Sequence, residues 1–288
     1  MTPEFNKLLL SRYIISRHIA SGGMADVYEA QDIVKNKTVA LKFLKDKSLY
    51  NDFEIEQFKD EARFIAAFNH PHIMKIYNVG EYNGVPFQSF ELIKGKTLKE
   101  VLDNRGKLSF DEAVDYLLQI IDAVSNMHEK EILHNDLKPD NLFLLSDGNI
   151  KICDFGIVTH ANSKEQKELH GTVKYLAPEV VQYHKQSYQS DIYSLGIVFF
   201  EFLTGKVPFD IDVPKTLIET YYSSDFPSLK KYISLPNIDD LDYVISKACN
   251  RNLTLRYKSV KEFANDLNAI KRHEKIKKGS FLSRLLSR

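Results

Sequence analysis

The chain has 288 residues, 43% of them hydrophobic and 27% charged, which is the composition of a folded protein large enough to bury a substantial core. Lysine plus arginine and aspartate plus glutamate are equal at 39 each, so the net charge gives no reason to expect a nucleic-acid partner. Two cysteines exclude a disulfide framework and favour a reducing environment, and no apolar run approaches the ~20 residues that span a bilayer.

The first third of the chain has the pattern of short strands with one helix among them. Strands are predicted over 13–20, 27–31, 38–43, 73–81 and 86–92. The first two flank a Gly-Gly turn, and the last two flank Asn83-Gly84. Residues 52–67 instead repeat apolar side chains at helical spacing, with acidic residues early in the segment.

After Gly95 the pattern becomes largely helical. Helices are predicted over 110–130, 191–204, 241–250 and 260–270. Ser109 and Glu112 form a capping-box pattern at the start of the first of these helices. The second is apolar on nearly every side, which predicts a buried central helix. A β-rich beginning followed by an α-rich remainder predicts an α+β fold of two lobes.

The turn between the first two strands consists of small residues, which let backbone N–H groups approach a phosphate. The turn and the strand position that follows it contribute Ala20, Ser21, Gly22, Gly23, Met24 and Val27. Taken alone, this stretch is better explained as a plain hairpin turn.

Lys42 ends the run Val39-Ala40-Leu41-Lys42, and Glu61 lies on the helix that follows. A lysine on such a strand reaches the α- and β-phosphates of ATP when an acid holds it in place. In isolation the two residues are better explained as a solvated surface pair. The order of the motifs along the chain favours the ATP site.

The polar run from His134 to Asn141, HNDLKPDN, gathers groups that phosphoryl transfer needs. Asp136 is expected to orient an incoming hydroxyl and accept its proton, and Lys138 to neutralise charge on the moving phosphoryl group. Asn141 and Asp154 supply the amide and carboxylate oxygens that Mg²⁺ prefers. A polar loop between strands is a much weaker explanation for three oxygen donors beside lysines.

A polar segment follows Asp154 and ends at Ala177-Pro178-Glu179. The hydroxyl-bearing residues that we note in it are Thr159, Ser163, Thr172 and Tyr175. Because a lone buried charge would be costly, Glu179 and Arg256 are expected to form a buried ion pair.

These motifs, in this order over residues 13–270, resemble a eukaryotic-type protein kinase. The Gly-Gly-Met turn, the VALK strand and the LKPDN run are similar to the bacterial Ser/Thr kinases of the PASTA-receptor group. The resemblance implies a bilobal protein kinase fold, with a β-rich N-lobe over 1–92 that carries one regulatory helix, an α-rich C-lobe over 93–270, and a basic amphipathic tail over 271–288. It also implies ATP with Mg²⁺, or Mn²⁺ in its place, protein Ser/Thr substrates, and a dimer for autophosphorylation in bacterial signalling.

The same resemblance implies a role for each matching position. The catalytic pair is Asp136 and Lys138, and the metal ligands are Asn141 and Asp154. The ATP-binding positions are the turn residues Ala20 to Met24, the pair Lys42 and Glu61, the gatekeeper Phe90, the hinge Glu91 to Ile93, and the adenine-contacting Val27, Ala40 and Phe143. His134 and Phe155 fall on an internal hydrophobic spine anchored by Asp191, and Cys153 is expected to be an apolar filler facing the nucleotide.

The chain departs from the family pattern at Ala20 and Ala25, which replace the outer glycines, and at Asn135, which replaces an arginine. Asparagine cannot pair with a phosphate on the activation segment as arginine would. Because the other groups that handle ATP, metal and hydroxyl are kept, Asn135 predicts altered control with the activity retained. Alanine at Thr159 or Ser163 is expected to leave turnover within about threefold.

Two other functions are compatible with part of this pattern. A pseudokinase scaffold would bind ATP or partners without transfer, but it predicts loss of a catalytic acid or lysine, and Lys42, Asp136, Asn141 and Asp154 are all present. A small-molecule kinase of the aminoglycoside or choline type shares the D-x-x-x-x-N loop, but it lacks the A-P-E and G-T segments that form a peptide-docking platform.

Residues 271–288 carry seven Lys or Arg against one acid, and they place Phe281, Leu282, Leu285 and Leu286 at helical spacing. This tail is expected to be either a solvated terminus or a contact for an anionic membrane surface or a partner. The amino terminus lacks the unbroken apolar core of a signal peptide. The expected location is therefore cytoplasmic, with membrane association through the tail as an alternative.

Overall fold

The computed structural model describes residues 7–22, 25–45, 52–66, 68–155, 159–160 and 172–276. A sheet-rich N-terminal lobe is followed by a helical C-terminal lobe, which confirms the predicted α+β fold. Within these ranges no helix is both long and apolar enough to cross a bilayer. The lobe boundaries predicted at 92 and 270 stay predictions.

The N-terminal lobe is an antiparallel sheet in the order β1-β2-β3-β4-β6-β5. The strands are β1 Leu8–Leu9, β2 Tyr13–Ser21, β3 Ala25–Asp32, β4 Lys37–Leu44, β5 Ile76–Tyr82 and β6 Val85–Glu91. One apolar cluster stacks Phe43 on Phe87, with ring centroids 5.4 Å apart. The helix α1, Asp52–Ala66, packs Ile55 and Phe58 against Ala25 of β3.

The C-terminal lobe is built around one buried helix. Its strands are β7 Gly95–Thr97, β8 Ile132–Leu133, β9 Leu142–Leu145, β10 Ile150–Ile152 and β11 Thr159–His160. Its helices are α2 Leu98–Arg105, α3 Phe110–Glu129, α4 Pro178–Tyr183, α5 Tyr188–Thr204, α6 Pro214–Ser223, α7 Ile238–Ala248 and α8 Val260–Lys271. Every residue of α5 from Ser190 to Leu203 is buried, as its apolar sequence predicts. Gly196 lets α7 approach closely, because a Cβ there would lie 2.5 Å from the Cys249 sulfur.

The predicted capping box at the start of α3 is confirmed. Ser109 Oγ accepts from the Glu112 amide, and Glu112 Oε2 accepts from the Ser109 amide at 3.1 Å. Arg105 donates to both oxygens of Glu112 at 2.8 and 2.9 Å. Hydrogen bonds from Arg105 and Ser109 lower the pKa of Glu112 to about 2.

The strand predicted over 73–81 begins later, at Ile76, because the residues before it cross to the other lobe. Ile73 forms a parallel bridge with Ile152, flanked by hydrogen bonds from Met74 N to Ile152 O (3.0 Å) and from Ile152 N to His72 O (2.8 Å). We call this contact between residues 72–74 and Ile152 the lobe joint.

Candidate active site

The loop that follows β8, residues 134–141, carries the predicted catalytic residues and is called the catalytic loop. It is held by Asp191, which is 1% exposed in the first turn of α5. Its carboxylate accepts from the backbone amides of His134 (3.0 Å) and Asn135 (2.9 Å), and it lies 2.8 Å from His128 Nε2. Burial alone would raise the pKa of Asp191, but these hydrogen bonds hold it below its usual value. Asp191 therefore fixes the backbone immediately before Asp136.

Asp136, Lys138, Asn141 and Thr172 form one hydrogen-bonded cluster. Asp136 Oδ2 accepts from Lys138 Nζ at 2.8 Å and from Asn141 Nδ2 at 2.9 Å. Lys138 Nζ also donates to Thr172 Oγ1 at 2.9 Å, and Thr172 N lies 3.4 Å from Asp136 Oδ1. The cluster therefore joins a carboxylate, a cation and an amide in one place, beside Thr172 near the end of the polar segment that follows Asp154.

Asp154 is brought next to this cluster by the backbone. Cys153 N donates to Asn141 O at 2.8 Å, and Asp154 adopts a left-handed conformation with φ 62°. Its side chain is 55% exposed, and its Oδ1 lies 3.9 Å from Lys42 Nζ on β4. Glu61, the predicted partner of Lys42, lies on α1, but its side chain is outside the described residues.

The amide oxygen of Asn141 and the carboxylate of Asp154 are donors that suit a hard divalent cation. Among the described residues, no group of three or more His, Cys, Asp or Glu side chains could hold a metal by itself. Mg²⁺ in phosphate-transfer sites is commonly bound by one or two protein oxygens plus phosphate oxygens and water, so a full protein cage is not required. Asn141 and Asp154 fit that pattern.

The turn between β2 and β3 is held by the predicted Ser21 together with Asp26 and Lys45, two residues that the sequence did not single out. Ala20 pairs with Val27 and Ser21 with Asp26, and Gly22 N donates to Ala25 O at 2.9 Å. Ser21 Oγ donates to Asp26 Oδ1 at 2.6 Å, and Lys45 Nζ donates to Gly22 O at 2.5 Å. The other two predicted turn residues, Gly23 and Met24, lie outside the described residues.

The predicted adenine-binding positions lie on β3, β4, β6 and β9. Ala40 on β4 pairs with Phe90 on β6, and Phe90 is buried. The Glu91 carboxylate accepts from Lys151 Nζ at 2.8 Å and from Lys75 N at 2.7 Å, so this side chain braces the segment between the lobes. Val27 on β3, Phe143 on β9 and Ile93 beyond β6 are each partly buried.

The predicted spine residues are in contact, with the His134 and Phe155 ring centroids 5.2 Å apart. His134 is fully buried, and desolvation lowers its pKa; its Nε2 has no hydrogen-bond partner among the described atoms. Burial raises the pKa of the Cys153 thiol, which agrees with an apolar filler.

The predicted ion pair between Glu179 and Arg256 is confirmed. Arg256 donates to both carboxylate oxygens, at 2.6 and 3.0 Å, and its side chain is 0% exposed.

The residues between 161 and 171, including Ser163, lie outside the described residues.

One set of contacts was missed by the sequence. Asn135 Nδ2 donates to Thr159 Oγ1 at 3.0 Å, and Thr159 Oγ1 donates to Gln186 Oε1 at 3.3 Å. These residues are 24 and 27 positions apart in the chain, and no local pattern connects them.

Comparisons of the amino-acid sequence with known proteins identify a family and several relatives. A family profile described as protein kinase domain matches residues 13–276. The serine/threonine-protein kinase PrkC of Bacillus subtilis is 36% identical over 91% of this chain and 41% of its own length, and the probable kinase PknB of Lactococcus lactis is 34% identical over 92% and 43%. PknA of Mycobacterium tuberculosis is 36% identical over 94% of this chain and 64% of its own length. The chain thus spans about two fifths of the first two relatives, and the predicted resemblance to bacterial Ser/Thr kinases is confirmed.

Proposed function

The chain belongs to the protein kinase family, and on that premise we propose that it transfers the γ-phosphoryl group of ATP to serine or threonine hydroxyls of proteins in bacterial signalling, its own chain included. The observation that carries this proposal is the cluster of Asp136, Lys138, Asn141 and Thr172. A carboxylate and a cation held together in this way would suit the point where an incoming hydroxyl meets a phosphate.

Asp136 is the proposed base. Donors on both of its oxygens fix its orientation, so that it can align a substrate hydroxyl and accept its proton. Lys138, held between Asp136 and Thr172, then lies where it can offset negative charge on the transferred group.

Lys42 is proposed to hold the α- and β-phosphates, with Glu61 as its partner, and Asn141 and Asp154 to hold Mg²⁺, with Mn²⁺ as an alternative. A divalent ion held there would offset the negative charge that develops on the phosphates during transfer. The turn from Ala20 to Met24 covers the phosphates. Val27, Ala40 and Phe143 contact the adenine, with Phe90 behind it and Glu91 to Ile93 at its edge.

A protein substrate is favoured over a small molecule by the platform that follows the activation segment. Thr172 touches the catalytic residues, and the buried Glu179–Arg256 pair fixes the chain immediately after it. A small metabolite would not need an ordered docking surface of this kind.

Three further points belong to the same proposal. Autophosphorylation would proceed within a dimer. The protein would act in the cytoplasm, and the basic tail over 271–288 would make a weak contact with a membrane surface or a partner. The N-lobe would run from 1 to 92 and the C-lobe from 93 to 270.

The test uses labelled ATP, Mg²⁺ and a generic basic protein, with ATP binding measured in parallel. We expect transfer by the parent chain, at a rate of roughly 1–100 per second on a good substrate. Asp136→Asn should bind ATP but lose transfer by a factor of about 10²–10⁴, and Asp154→Ala serves as the metal-site control. ATP binding with no transfer above the Asp154→Ala background would reject the enzyme in favour of a pseudokinase.

A further inference from the structure

Asn135 lies in the left-handed region, with φ 66°. Asparagine adopts this conformation more readily than other residues with side chains, because its short amide can hydrogen-bond locally. Its backbone amide donates to the Asp191 carboxylate, which fixes the backbone from which the side chain extends. The residue is 7% exposed. The residue is therefore suited to place its amide group at one defined point.

That point is the hydroxyl of Thr159, five positions after Asp154. Thr159 is 5% exposed and lies on β11, which pairs with Leu133 on β8 directly before the catalytic loop. Its hydroxyl accepts from Asn135 and donates to Gln186, so both capacities of the hydroxyl are used.

Gln186 completes the connection to the central helix. It precedes Ser187, whose side chain caps α5, and Asp191 in the first turn of α5 binds the Asn135 amide. The contacts thus form a closed ring through the catalytic loop, β11 and the start of α5. We call the side chains of Asn135, Thr159 and Gln186 the neutral tether.

Within the described part of the chain, the cavity beside the tether does not resemble a phosphate site. It is lined by Asn135, Gln186, Asp191 and two serines together with apolar residues, and this lining contains no lysine or arginine. Phosphates that order activation segments in other kinases do so by pairing with arginine. A phosphate placed in this cavity would face the Asp191 carboxylate.

We propose that Thr159 and Gln186 are positioning residues for phosphoryl transfer, because their bonds to Asn135 hold the segment after Asp154 against the catalytic loop through uncharged groups and without phosphorylation. The inference rests on the proposed kinase activity. It also revises the expectation for Thr159: alanine there removes the central hydroxyl, so turnover falls, whereas Ser163→Ala still leaves it unchanged within about threefold.

The test compares Thr159→Val, Thr159→Ser and Gln186→Met in the full chain, with Thr220→Val as a matched control whose hydroxyl bonds only to Thr216 O of its own helix. Thr159→Val should lower kcat about tenfold with KM for ATP within about twofold, and Thr159→Ser should restore most of the loss. The parent treated with phosphatase should keep its initial rate within about threefold. Unchanged kcat in Thr159→Val, or a loss above about tenfold on dephosphorylation, would overturn the proposal.

Hydrogen exchange separates this proposal from the kinase activity. Gln186→Met, on a half-buried position, should speed exchange in segments 132–133 and 159–160 while the unfolding free energy changes little. Exchange as slow as in the parent would refute the tether even if no protein is phosphorylated by any variant. Faster exchange with an inactive parent would support the tether and reject the kinase activity.

Discussion

Glu179 and Arg256, 77 positions apart in the chain, form an ion pair with two hydrogen bonds and almost no solvent contact. Arg256 also donates to Gln189 O and Asn250 O, at 2.7 and 2.8 Å, so the guanidinium has acceptors on several sides. Such a pair is costly to bury and far more costly to break, because the remaining charge has no water to solvate it. It therefore ties the end of the activation segment to the last part of the domain.

Removing one member of this pair should destabilise the whole domain. We expect Glu179→Gln to lower the free energy of unfolding by about 3–5 kcal/mol, measured by urea denaturation. Glu129→Gln is the matched control, since its pair with Lys261 is 55–67% exposed and, being solvated and screened, should contribute far less to the free energy of unfolding. Equal effects of the two changes would contradict the argument from burial.

The hydroxyl of Thr172 should matter for turnover more than for folding. Thr172→Val removes the acceptor that holds Lys138 and should lower kcat by about tenfold, with KM for ATP unchanged. Thr172→Ser keeps the acceptor and should remain within about twofold of the parent. A valine variant that raises only KM for ATP would show that this contact serves nucleotide binding instead.

The capping box of α3 predicts an acid-sensitive contribution to stability. Glu112 has a pKa of about 2 in the folded chain, below the usual 4.5, so its stabilising contribution is complete above about pH 4.5 and is lost as the pH falls towards 2. The difference in unfolding free energy between the parent and Glu112→Gln should therefore be largest at pH 6–7 and shrink below about pH 4.5. A difference that does not vary between pH 7 and pH 3.5 would exclude this origin.

His134 predicts a second loss of stability with falling pH, in a window nearer neutral pH. Burial lowers its folded pKa, so below about 6.5 the unfolded chain binds a proton that the folded chain does not, and stability falls with falling pH. His134→Phe cannot take up that proton, and the variant should gain stability relative to the parent as the pH drops from 8 to 5.5. The values at pH 8, where neither state is protonated, correct for the change in packing. Parallel curves for the two proteins would rule out His134 as the source.

Lys45 should hold the phosphate-binding turn rather than take part in the chemistry. Lys45→Met removes the donor to Gly22 O and should raise KM for ATP about three- to tenfold, with kcat within about twofold. This result is expected when a lost contact had stabilised the bound substrate and the transition state equally. Lys35→Met, on the β3–β4 turn, is a matched control and should leave both constants unchanged. A fall in kcat alone would place Lys45 in the transfer step.

Local patterns predicted most of the elements. Alternation and helical spacing located the strands of the N-terminal lobe, and the uniform apolarity of 191–204 located the buried helix α5. The strand predicted from Ile73 started too early, since no local pattern distinguishes pairing within a sheet from a bridge to Ile152 in the other lobe. Ile73 would be an apolar residue in either arrangement, so its side chain does not distinguish the two.

The candidate site was predicted largely by resemblance. The His134–Phe155 contact and the Glu179–Arg256 pair were predicted, but most hydrogen bonds between its side chains were not. Lys138 and Thr172 are 34 positions apart, and their hydrogen bond depends on the path of the intervening chain. The sequence identified Asn135 as the replacement of an arginine. It did not predict that Asn135 donates to Thr159, because that contact depends on the left-handed backbone conformation of Asn135. The roles of the site residues themselves stay predictions.

The lobe joint limits how the nucleotide cleft can open. Backbone hydrogen bonds join residues 72–74 to Ile152, and His70 Nε2 lies 3.2 Å from Asp122 on α3. Sliding one lobe over the other would therefore break these hydrogen bonds. We therefore expect the lobes to move by a rotation about this joint, with the described ends of β2 and β3 moving more than residues 72–74. Spin labels on β3 and on α7 should report a changing distance as the lobes open and close, while labels across the joint report a constant one.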